Sequence, residues 1–138
     1  MILTDTHAHL YASEFESDID VVVKSCNQNG ISRLFLPNID EESIGPLLTL
    51  TKNYPGTCLP MMGLHPSSVF ANFDEVLVKM KPLFDQHKFY AVGEIGIDLF
   101  WDKTFIEQQK LAFEQQINWA KEMKLPIVIH VRDSFNEV

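Results

Sequence analysis

The chain has little with which to cross-link itself or to hold a polyanion by its surface. Its only two cysteines, Cys26 and Cys58, lie far apart and belong to no C-x-x-C pair. They read as buried thiols of a reducing compartment rather than as a disulfide. Lys and Arg number 11 against 19 Asp and Glu, a formal charge of −8. That balance argues against a broad basic surface for nucleic acid, because counterion release needs cations facing phosphates. Phosphate affinity would have to be local, and two divalent cations would add about four positive charges at one spot. No segment approaches the roughly 18 uninterrupted apolar residues of a membrane span, and Met1-Ile2-Leu3-Thr4-Asp5 is no basic leader. A cytoplasmic protein with no membrane partner is the expectation. Low-complexity tracts and linkers are also missing, so 138 residues with 46% apolar content read as a single domain.

Strand-like and helical patterns alternate from end to end, the mark of βαβ units around a parallel sheet and hence of an α/β fold. Strands are expected at 2–9, 32–39, 58–64, 89–97 and 126–130. Between them, Ser13-x-x-Glu16 suggests a capping box for a helix that Gly30 closes. Further helices are expected at 44–54, with Pro46 tolerated in the first turn, at 74–87, kinked or shortened by Pro82, and at 104–124. Pro60 sits awkwardly in the third strand. Five strands with four intervening helices are a little over half of a TIM-type (β/α) barrel of eight strands, for which about 250 residues is typical. The chain therefore reads as truncated at its C-terminus. Unpaired edges on the first and fifth strands predict self-association.

Ionisable residues gather at the strand ends, where such a barrel keeps its chemistry. His7 and His9 share a strand face with α-carbons about 7 Å apart, so two neutral imidazoles can close on one transition metal or zinc. Asp5, on the same face, either orients one of these imidazoles or has a structural role. Glu94 ends an apolar strand, where burial of an unpaired carboxylate costs several kcal/mol unless a cation compensates. It is either a bridging metal ligand or the partner of Arg132. His130 closes the run Pro126-Ile127-Val128-Ile129 and reads as a metal ligand at the barrel mouth. Arg132, two residues on, either grips phosphate oxygens with its planar guanidinium or makes a surface ion pair. His65, between Leu64 and Pro66, suits phosphate contact or proton transfer. Asp98 either orients a neighbour or stays solvated, and His87 is most simply a helix-dipole partner. Phe100-Trp101 either rim the cleft and stack on a base or pack within their loop.

The motifs Asp5-Thr6-His7-Ala8-His9-Leu10, Gly63-Leu64-His65-Pro66, Ala91-Val92-Gly93-Glu94-Ile95-Gly96-Ile97-Asp98, Gln109-x-x-x-Phe113-x-x-Gln116 and Leu125-Pro126-Ile127-Val128-Ile129-His130-Val131-Arg132-Asp133 together resemble the TatD family of metal-dependent deoxyribonucleases, among the amidohydrolase-like barrels. The resemblance spans nearly the whole chain and rests on five motifs in order. It implies a hydrolase that removes nucleotides from DNA ends, single-stranded or duplex, with two divalent metal ions such as Mg, Mn or Zn. His7 and His9 would hold one metal and His130 the other, with Glu94 bridging and catalytic. The family also draws a His from a sixth strand and an Asp from an eighth, and neither has a counterpart here. Two other readings stand beside this one: a metal-dependent hydrolase of another ester or amide, such as an aminoacyl ester on tRNA, and an inactive fragment that works through self-association.

Overall fold

The computed structural model describes residues 1–138. Its elements, in chain order, are β1 (Leu3–Asp5), α1 (Ile19–Gln28), β2 (Ile31–Pro37), α2 (Ile44–Asn53), β3 (Cys58–Met61), α3 (Phe73–Met80), α4 (Leu83–Gln86), β4 (Val92–Asp98), α5 (Ile106–Met123) and β5 (Ile127–Arg132). All strand pairs are parallel and neighbours in space follow the order in sequence. β1, β2 and β3 form one sheet and β4 with β5 a second. A single bridge between Met62 and Val92 joins the two. With α1 against β2, α2 against β3 and α5 against β4, this is the expected α/β layout of a partial barrel, with β1 and β5 each paired on one side only.

Several ends differ from expectation for local reasons. β1 stops at Asp5 instead of running to residue 9, because the Asp5 carboxylate accepts the His7 N–H at 3.0 Å and so diverts a donor that a continuing strand would use. The chain rejoins β2 at Ala8, whose N–H donates to the Phe35 carbonyl. The Ser13–Glu16 capping box does not form. Ser13–Phe15 wind into a 3-10 turn, and α1 begins only at Ile19, so the box residues never reach the helix start. Gly30, at φ 85°, ends that unit as expected. Pro82 splits the third helical stretch into α3 and α4. Pro60 is tolerated inside β3 because its nitrogen faces β4, toward which the first N–H donated is that of Met62, to Ala91, while the Pro60 carbonyl still accepts from Tyr90.

The larger core lies between the three-stranded sheet and its helices, built on Leu34, Leu36, Leu47, Met62, Leu77 and Met80. A smaller one packs Ile95 and Ile97 of β4 against Phe113 and Ala120 of α5, which turns Glu94 to the opposite face of the strand. Two buried glutamines of α5 act as surrogate peptide groups where the ladders run out. Gln116 accepts the Leu64 N–H at 2.7 Å and donates to the Leu64 carbonyl at 3.3 Å. Gln109 does the same for Asp98, at 2.9 and 3.2 Å. Both strand termini so held carry residues of the site.

Candidate metal centre

Glu94 is 8% exposed and each of its carboxylate oxygens faces a pair of imidazoles. Oε2 lies 3.1 Å from His7 Nε2 and 3.8 Å from His9 Nε2. Oε1 lies 3.1 Å from His130 Nδ1 and 3.8 Å from His65 Nε2. The ring nitrogens also approach one another, at 3.1 Å between His7 and His9 and 3.0 Å between His65 and His130. Two three-residue donor groups result, His7–His9–Glu94 and His65–Glu94–His130, each with its ligand atoms within 4.8 Å of one another. Imidazole suits zinc and other transition metals, while carboxylate also suits manganese and magnesium, so this imidazole-rich donor set fits zinc better than manganese or magnesium among the implied metals. The spacing of Gly96 matters here. A Cβ at Gly96 would overlap the His130 carbonyl, so only glycine lets β4 and β5 approach closely enough to set His130 beside Glu94.

Three of the four histidines have a partner on the nitrogen that faces away from Glu94. Tyr11 donates its hydroxyl to the Pro37 carbonyl at 2.5 Å. Its oxygen, 2.8 Å from His9 Nδ1, must then accept the Nδ1 proton, which leaves the Nε2 lone pair directed at Glu94. Asp98 Oδ2 lies 2.9 Å from His130 Nε2, so that nitrogen carries the proton and Nδ1 faces Glu94. Ser67 donates its N–H to His65 Nδ1 at 3.1 Å and sets its hydroxyl 2.7 Å from the same nitrogen, so Nδ1 is the acceptor and Nε2, on the Glu94 side, carries the proton. Partial burial favours the neutral form of two half-buried imidazoles: His9 is pushed below its usual range by desolvation and then by His7, against the pull of Glu94. His65 is pushed down to about 4, again by desolvation first. Burial drives Asp98 upward, but the Phe100 N–H and His130 outweigh it and bring the carboxyl below its ordinary value. Burial also pushes the Tyr11 hydroxyl well above the usual phenol range.

His7, His9, Glu94 and His130 thus converge although β1 ends before either histidine, and His65 joins the cluster through Nε2, 3.0 Å from His130 Nδ1. Arg132 makes neither of the ion pairs considered from sequence. Its guanidinium carbon lies 3.8 Å from the centre of the Phe100 ring and 5.1 Å from that of Trp101. Asp5 is structural, holding the His7 N–H. Asp98 is the partner of His130. His87 ends α4, away from the cluster, against Phe89. Tyr11, Ser67 and Asn38 went unseen in the sequence. Asn38 is fully buried; its side chain donates to the Asp40 and Gly63 carbonyls and accepts from Ser43, and its backbone carbonyl takes the Glu94 N–H. It ties β2, β3 and β4 together beneath the cluster. Cys26 and Cys58 are both free thiols, as expected. No helix is long and apolar enough to cross a membrane.

The chain is 34% identical over 137 residues to YabD of Bacillus subtilis, an uncharacterized metal-dependent hydrolase, covering 99% of this chain and 53% of that protein. It is 29% identical over 130 residues to the 3'-5' ssDNA/RNA exonuclease TatD of Yersinia pseudotuberculosis, covering 94% of this chain and 50% of the relative. The crystal structure of YJJV, a TatD homolog from Escherichia coli, superposes with a TM-score of 0.89 at 29% identity, over 98% of this chain and 52% of that one. The chain therefore spans about half the length of the curated relatives it matches. Its fold corresponds to part of the TatD TIM barrel. Because the TatD related DNase family matches residues 4–138, the chain belongs to that family of metal-dependent hydrolases.

Proposed function

We propose that residues 1–138 form one domain that carries the metal-ligating part of a deoxyribonuclease site, acting on phosphodiester bonds at DNA ends with two divalent cations, Mg²⁺, Mn²⁺ or Zn²⁺. The observation that supports this most is the placement of Glu94, with one oxygen toward His7 and His9 and the other toward His130 and His65. A bridging carboxylate between two imidazole sets is what a metal pair requires. When bound, such a pair stabilises the attacking and leaving oxygens of an in-line displacement at phosphorus. Around it, Arg132 offers its N–H edges to a phosphate oxygen. His65, neutral near pH 7, is placed to hold or pass a proton at Nε2. The arginine, with no carboxylate partner, favours a phosphodiester over a carboxylic ester or amide substrate. Exonucleolytic action on single strands is supported by relatives that carry that name. The sixth-strand His and eighth-strand Asp implied by the family resemblance have no match among these residues. The free edges of β1 and β5 are the surfaces through which a second copy would add ligands by self-association.

Two measurements test this reading: metal content after dialysis, and degradation of an end-labelled single-stranded oligonucleotide with Mn²⁺ or with chelator. Glu94→Ala is expected to lose bound metal and all metal-dependent cleavage. His87→Ala is expected to stay within about twofold of the parent, as a change remote from the cluster. Undiminished metal binding by the Glu94 variant would overturn the bridging role.

A further inference from the structure

Past the end of β4 the chain exposes two adjacent aromatic rings, Phe100 at 48% and Trp101 at 74%. Neither is loose. Their ring centroids lie 4.7 Å apart at 90°, and the Arg132 guanidinium covers the Phe100 face. Stacking by its face leaves the planar edge of the guanidinium, with its N–H donors, open to solvent. The Phe100 N–H donates to Asp98 Oδ1 at 2.9 Å, and the other oxygen of that carboxylate holds His130. One side chain therefore fixes the aromatic pair and a histidine of the metal centre together. Trp101 also walls a cleft with Pro66, Phe70 and Phe105, and Asp98 and Gln109 lie among the residues that line it. Phe70 and Phe105 stand edge to face across 5.7 Å.

An exposed aromatic ring such as Trp101, buttressed by Phe100 and beside a cation without a carboxylate partner, is the chemistry that binds unpaired nucleotides, ring on base and guanidinium on phosphate. In a chain of formal charge −8 this is a local exception to the surface. We propose that Phe100, Trp101 and Arg132 form a nucleobase-stacking subsite next to the metal centre, which takes an unpaired base of a single strand. The proposal rests on the deoxyribonuclease reading and names the part of the substrate that the site grips. A base inside a duplex is stacked on both faces and offers none to Trp101, so the subsite selects frayed or single-stranded ends.

The test uses the full 138-residue chain in chelator at low ionic strength, titrated with an oligothymidylate and with an abasic strand of equal length and charge. Trp101 fluorescence is the readout, since the other tryptophan, Trp119, is only 8% exposed. The oligothymidylate is expected to quench it and to bind about tenfold more tightly than the abasic strand. By fluorescence anisotropy of labelled strands, Trp101→Ala should bind the two alike, whereas Arg132→Ala should weaken both and flatten the salt dependence. Equal binding of the two strands by the parent, or a Trp101 variant that still prefers bases, would overturn the subsite. Hydrolysis of bis(p-nitrophenyl) phosphate with Mn²⁺ separates the two claims. Hydrolysis without base preference sinks the subsite alone, and base preference without hydrolysis leaves the subsite standing while the catalytic reading fails.

Discussion

Tyr11 is neither charged nor a metal ligand, yet its hydroxyl decides which nitrogen of His9 faces Glu94. The Pro37 carbonyl can only accept, so the hydroxyl proton goes there and the oxygen is left for the proton on His9 Nδ1. Tyr11→Phe removes that acceptor while keeping the ring and its contacts. Mn²⁺ or Zn²⁺ affinity, measured by calorimetry, is expected to fall by at least about tenfold, with the circular dichroism spectrum unchanged. An unchanged affinity would mean that the imidazole holds its orientation without help. His7, His9, Glu94 and His130 were legible as candidates because ionisable groups at the ends of apolar strands have few alternatives to a cation. Tyr11 was not, because an aromatic two residues after a histidine carries the same pattern as any core residue. Only the folded position of Pro37 tells the two apart.

The helix α5 illustrates the same limit at the level of an element. Its length and apolar face follow from sequence, and so do the split at Pro82 and the stop at Gly30. Two of its glutamines, Gln109 and Gln116, however, fall on that buried face, where periodicity gives no hint that they replace missing ladder bonds. Gln116→Leu keeps volume and helix propensity but strips the Leu64 N–H and carbonyl of their partners. A loss of about 1–3 kcal/mol in urea denaturation is expected, with larger displacement at His65 than at His7 in nuclear magnetic resonance spectra. Stability equal to the parent would show that water fills the role. β1 was the opposite case, read as too long, because alternation continues through His9 while an aspartate side chain ends the ladder.

For the molecule as a whole, the half-buried imidazoles tie stability to pH. His65 titrates near 4 in the folded chain against about 6.5 when unfolded. Between those values the unfolded state binds more protons, so the metal-free protein loses stability as pH falls from about 6.5 to 4, by up to about 3 kcal/mol from this residue. His9, also lowered, adds in the same direction. Thermal unfolding in chelator over this range measures the slope, and a flat profile would contradict the burial argument. The overall architecture was legible from alternating patterns and strand-end residues, but the division of the strands into two sheets was not. That division has a mechanical consequence. The candidate ligands are shared between two leaves, His7, His9 and His65 following the strands of one, and Glu94 and His130 in the other, and the leaves meet at a seam with one strand bridge. Any ion held between Glu94 and the histidines of the first leaf is a rivet through that seam, added to the backbone bonds that Met62, Tyr90, Gly93 and Glu94 already make across it, so loading the site stiffens the joint between the halves of the sheet.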